Sequence, residues 1–128
     1  MSSTTTLRVR IDADAVTMDA ELNDTDTARV IWEALPFGAP GNTWGDEIYF
    51  AIPVVKELEK GQDTVELGDL GYWPPGKAFC IFFGPTPASQ GDEIRPASAV
   101  TVVGKLLGDP TLFRQVPSGQ QVTISIAS

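Results

Sequence analysis

Few residues in this chain carry the side chains on which enzymatic chemistry is usually built, and most of those few are carboxylates. There is no histidine and one cysteine in 128 residues. Ser-His-Asp and Cys-His triads are thereby excluded, as are histidine-ligated zinc and haem sites. Cys80 sits in the apolar run Phe79 to Phe83, with no histidine to activate it, and reads as a buried, inert thiol. A single cysteine also rules out an intrachain disulfide.

The remaining candidates fall into three groups. Asp46 and Glu47 adjoin each other in an otherwise apolar stretch. One carboxylate could face the mouth of the fold and bind or protonate a ligand. Alternatively, Gly45-Asp46 forms a bulge or turn, and both carboxylates are solvated or cap backbone amides. Tyr72 and Trp73 stand immediately before Pro74-Pro75, where rings beside a rigid turn suit a ligand platform or a barrel core equally well. Adjacent strand residues point to opposite faces, so only one of the two can line a given pocket. Asp92, Glu93 and Arg95 occupy a loop rich in Pro, Gly and Ser. There Arg95 could clamp a carboxylate or pair with Glu93 at the surface. Asp46, Glu47, Asp92 and Glu93 could together attract only a hard, oxygen-seeking ion, and their spacing is not that of an EF-hand. No metal and no cofactor is expected. The residues expected to contact a ligand are Glu47, Tyr49, Tyr72, Trp73, Phe82, Glu93 and Arg95.

Charge narrows the partners. Seventeen acidic and nine basic residues give a net charge of −8. Phosphate backbones and anionic membranes repel such a surface, so neither nucleic acid nor membrane is expected as a partner. The acidity is read as ordinary solubility charge rather than adaptation to a saline cytoplasm. No apolar run approaches the roughly 20 residues that span a bilayer as a helix. The opening MSSTTTLRVR lacks a basic segment followed by an apolar one, and a cytoplasmic location is the default expectation.

The elements that must position these residues are mostly strands. Residues 1–6 read as a disordered tail and 7–128 as one domain. Leu7, Val9 and Ile11 alternate with Arg8, Arg10 and Asp12, giving a strand with one buried face. Val16, Met18, Ala20 and Leu22 alternate again and complete a hairpin. One helix is expected over about 25–35. Asp24 to Asp26 supply its N-terminal oxygens, and Ala28, Ile31, Trp32 and Leu35 form a single apolar stripe that plugs the sheet. Pro36 and Gly38 end it.

Thr43 to Pro53 reads as one strand, and 54–63 as an exposed connection with a short helical turn. Val65 and Leu67 open another strand that continues to Trp73, before the turn at Pro74-Pro75-Gly76. Ala78 to Phe83 is uninterruptedly apolar and reads as a strand buried on both faces. Residues 84–99 form a long surface loop, a place where function often resides. Val100 to Leu107 and Val122 to Ile126 are the last strands, with a helical turn around Leu112 and Phe113 between them.

The segments ELNDTDTARVIWEALPF, WGDEIYFAIPV, GDLGYWPPGKAFCIFFGPTP and VTVVGKL resemble the small prokaryotic cyclophilin-like proteins, a group mostly of unknown function. The resemblance covers nearly all of the chain after Thr6. It implies a mostly β fold, a single closed eight-stranded barrel with one main helix and short helical turns. It also allows a comparison with true cyclophilins, which polarise a prolyl imide with an arginine over an apolar pocket. By the resemblance, that arginine falls at Phe50 in IYFAIP, and a pocket histidine falls at Val100 in VTVVGK.

Three readings follow. The first is a non-catalytic module that binds a small molecule or peptide. The second is an enzyme using a pocket carboxylate and Arg95, including an altered prolyl isomerase. The third is a structural subunit, with homo-oligomers formed through the apolar stretch Val100–Leu107 and a last strand free to pair at an edge.

Overall fold

The alternation at the N-terminus produces the hairpin it predicts. In the computed structural model, which describes residues 7–127, β1 (Leu7–Asp12) pairs antiparallel with β2 (Thr17–Leu22), with Ile11 opposite Met18. The expected tail 1–6 lies outside the described residues, as does Ser128. Helix α1 (Asp26–Ala34) follows. Thr25 is its N-cap, and its hydroxyl oxygen accepts from the Ala28 amide at 3.1 Å. A second carboxylate completes the cap from far away in sequence. Glu59 accepts from the amides of Asp26 (3.1 Å) and Thr27 (3.0 Å) and from the Thr27 hydroxyl (2.8 Å). These bonds, with those from Thr27 foremost, hold the Glu59 carboxyl below its ordinary range. Ala28 and Ile31 are fully buried in the main core, and Trp32 and Leu35 pack against it.

The chain then forms β3 (Phe37–Pro40) and β4 (Asn42–Thr43), followed by β5 (Glu47–Ala51), β6 (Asp69–Trp73), β7 (Ala78–Phe82), β8 (Thr101–Leu106) and β9 (Gln121–Ile126). All belong to one sheet in the order β3-β9-β1-β2-β8-β6-β7-β5-β4. Its two ends, β3 and β4, are consecutive in the chain and separated only by Gly41. The sheet therefore curls almost into a closed barrel. The expected count of eight becomes nine because the closing segment, residues 37–43, is interrupted at Gly41. The class of fold is as expected.

Several local expectations are corrected. Thr43–Pro53 is not one strand: Gly45, at φ +61°, turns the chain between β4 and β5. A side chain at Gly45 would also collide with the backbone at Pro85 and Thr86. The connection 54–63 contains no helical turn, and Val54 is buried. Val65 makes an isolated bridge to Ile94 instead of opening β6. The last strand is not a free edge, since β9 is flanked by β1 and β3. β8 is likewise internal, between β2 and β6. The expected turns do form, as 3-10 segments at Pro74–Gly76 and Pro110–Gln115.

Strand parity divides the apolar residues into two clusters. Phe50, Leu70, Tyr72, Phe79, Ile81 and Ile124 belong to the main core. Phe50 and Phe79 lie side by side there, with ring centroids 5.8 Å apart. Each such ring contributes about 1.5–3 kcal/mol by leaving water. The alternate residues of β7, Ala78, Cys80 and Phe82, face the other way and form a second cluster with Val65, Ile94 and Val100. Strand β7 is thus buried on both faces, as its sequence requires. Cys80 lies on the second side, fully desolvated.

Candidate functional site

The second cluster is covered by residues 84–99, a strap held by its own short polar side chains. The Thr86 hydroxyl donates to the Arg95 carbonyl and accepts from the Ala88 amide at 3.2 Å. The Ser89 hydroxyl accepts from the amides of Thr86 (2.9 Å) and Arg95 (3.1 Å). The strap is tied to the rest of the fold at three points. The Asp46 amide donates to the Pro85 carbonyl (2.9 Å), the Val65 amide to the Ile94 carbonyl (2.9 Å), and the Trp73 indole to the Ser98 hydroxyl (2.6 Å).

Between strap and sheet lies a cleft of about 250 Å³, lined by Trp44, Glu47, Tyr49, Trp73, Pro96 and Ala97. Parity explains who is there. Glu47 and Tyr49 leave β5 on the outer face, opposite Phe82 and Cys80 of β7, and Trp73 leaves β6 on the same face, opposite Ala78. Gly71 lies between Trp73 and the sheet's next outward position. A side chain there would press on Phe82 and Val100 at 3.2 Å, so its absence lets the floor of the cleft pack.

Glu47 is the chemical centre of this cleft. The residue is only 5% exposed. Among the described residues, no basic side chain forms an ion pair with it. Burial among apolar walls disfavours its charged form and pushes the carboxyl up to about 7, opposed in part by the neighbouring Cys80 thiol. That thiol has two acceptors in reach, the Ala78 carbonyl at 3.9 Å and the Glu47 carboxyl. Burial first, and then the Glu47 charge, push the Cys80 thiol well up, so it is no nucleophile. The cleft therefore offers a carboxyl that is protonated or ionised near neutrality, ringed by three aromatic side chains.

Of the residues singled out from sequence, the structure gathers Glu47, Tyr49 and Trp73 in the cleft. Phe82 is buried beneath, in register with Glu47. Tyr72 points the opposite way, into the main core, where its hydroxyl donates to the Val54 carbonyl at 2.6 Å. Glu93 and Arg95 do not line the cleft. They pair with each other through Nε–Oε2 at 2.6 Å and Nη2–Oε1 at 3.2 Å. Asp46 turns away to pair with Arg114 at 3.3 Å. Asp92 is exposed. Among the described residues, no three acidic or thiol groups converge on a metal-sized point.

Trp44, Pro96 and Ala97 also line the cleft, although little in their sequence context singles them out as contacts. The signals in the sequence are the glycine after Trp44 and the length of the loop that carries Pro96 and Ala97. Phe50 and Val100, the positions matched to the cyclophilin arginine and histidine, lie in the main core and the second cluster respectively.

A small, almost closed β-barrel that carries a strap-covered aromatic cleft on the outside of its sheet is the class of protein that fold and site define. The chain belongs to the Cyclophilin-like family, whose model matches residues 7–125. It is also similar to the solution structure of a hypothetical protein from Archaeoglobus fulgidus, at 42% identity, with 98% of each chain covered and a TM-score of 0.81. No curated protein matches the chain. No helix among the described residues is long and apolar enough to cross a membrane.

Proposed function

We propose that this protein is a binding module that holds a small organic molecule, or one side chain of an extended peptide, in the cleft at Glu47. The observation that carries this reading is a nearly buried carboxyl, with no ion-pair partner among the described residues, on a floor walled by Trp44, Tyr49 and Trp73. Binding sites are concave, mostly apolar, and furnished with few polar groups that fix orientation. A non-catalytic role is supported by the neutral, buried Cys80 and by the engagement of Arg95 with Glu93 rather than with the cleft. The test is a ligand-detected NMR screen of metabolites and proline-containing peptides against the purified protein. Saturable binding that perturbs Trp44 and Trp73 supports the reading, and a screen without any such ligand removes it.

One observation favours a second reading. A carboxyl poised near 7 in an apolar cleft is suited to general acid–base catalysis. A prolyl isomerase assay, with a true cyclophilin as positive control and Glu47→Gln alongside, separates the two. Activity lost in the variant makes the cleft catalytic, and no rate above background leaves it a binding site.

A further inference from the structure

We infer that the cleft selects an organic ammonium cation, with Glu47 as its counter-ion and Trp44, Tyr49 and Trp73 as an aromatic cage. This deepens the binding reading above and rests on it. Three aromatic rings and one carboxyl make up four of the six lining residues, and Pro96 and Ala97 add only apolar surface. Ring faces carry negative potential and attract a cation, most strongly where water is excluded. A primary or alkylated ammonium presents a positive charge on an apolar body and satisfies both parts of this lining. A carboxylate or phosphate ligand would instead meet Glu47 and the ring faces as like charges. The one arginine on the strap is occupied by Glu93 and does not reach the lining.

The lining also explains why a carboxyl tolerates this position at all. Buried without a cation, Glu47 remains protonated at little cost, and an incoming ammonium supplies the charge it lacks. Binding is therefore coupled to proton release from Glu47. The groups facing it are the Tyr49 phenol on its own strand and the Cys80 thiol on β7. The strap contributes no charge there, and the neighbouring Asp46 is held by Arg114. With the carboxyl titrating at about 7, the ionised fraction at pH 5.5 lowers apparent affinity roughly 10- to 30-fold relative to pH 8.

The test is a titration with choline and with 3,3-dimethylbutan-1-ol, its uncharged carbon isostere, at constant ionic strength. Indole signals are assigned through Trp44→Phe and Trp73→Phe. Choline should shift both indole signals saturably and bind at least about tenfold more tightly than the isostere. It should weaken at pH 5.5 and lose its advantage in Glu47→Gln. Equal affinity for both compounds overturns the cation preference while leaving a binding cleft. Binding of the isostere alone does the same, and no saturable shift with either compound overturns the inference outright. A third arm, a tripeptide containing trimethyllysine, identifies the source. If it binds more tightly than choline, the same ammonium chemistry is carried by a protein side chain. If it binds more weakly, the cation is a free small molecule.

Discussion

Strands β5, β6 and β7 have two buried faces that differ in how they are closed. The inner face meets the rest of the barrel. Phe50, Leu70, Tyr72, Phe79 and Ile81 fill it, and its one phenol is satisfied by the Val54 carbonyl. The outer face meets the strap and the coil around Val65, and the cover is incomplete. It leaves a cleft that a carboxyl and three rings line together with Pro96 and Ala97. The same three strands thus build stability on one face and a site on the other. The difference lies in what covers them, since the alternation of side chains is identical.

Breaking the inner face should have the largest effect. Phe79→Ala removes a fully buried ring from the main core and should cost about 3–5 kcal/mol in urea unfolding. A cost below about 1 kcal/mol would mean that the inner face is not the main source of stability.

The outer face should reveal itself through pH. The Glu47 carboxyl is raised from 4.5 to about 7 in the folded state, so its contribution is fully present below 4.5 and lost as pH rises through 7. At 1.36 kcal/mol per unit the loss reaches about 3 kcal/mol. The urea midpoint should fall across that window in the native protein and not in Glu47→Gln. A midpoint that rises across the window in a Glu47-dependent way would reverse the sign and contradict the account.

Loosening the strap sharpens the comparison further. Thr86→Val leaves the Arg95 carbonyl without its hydroxyl donor, at a cost of about 1–2 kcal/mol. Amide exchange should accelerate across 86–98 and stay unchanged in β1 and β2. Uniform acceleration would show that strap and barrel open together. Arg95→Ala should have the smallest effect. Its pair with Glu93 lies in contact with solvent, which screens it, so the urea midpoint should barely move. Ligand binding should be unaltered in this variant.

The inner face was legible in the sequence because alternation and continuous apolarity encode it directly. The hairpin at 7–22, the helix stripe at Ala28 and Ile31, and the doubly buried run 78–82 all emerge where the pattern places them. β3 was not legible. Phe37-Gly38-Ala39-Pro40 contains two residues that weaken strands, and its pairing is supplied by β9, more than 80 residues later. The cap provided by Glu59 was hidden for the same reason of distance.

The site was half legible. Parity required Tyr72 and Trp73 to part company, but only the fold decides which of them faces outward. Glu47 and Asp46 looked equivalent as neighbours. Adjacent side chains at the start of β5 point to opposite sides, so Glu47 enters the cleft and Asp46 meets Arg114. Glu93 and Arg95 are charges in a long loop, and two opposite charges two residues apart satisfy each other.

The central claim is that the fold holds the Glu47 carboxyl out of water on the outer face of its sheet. Carbon-detected NMR titration of that carboxyl, with Glu47→Gln to assign it, tests this most directly. The account predicts a midpoint near 7. A midpoint near 4.5, the ordinary value for a glutamate, would mean a solvated carboxyl and would contradict it.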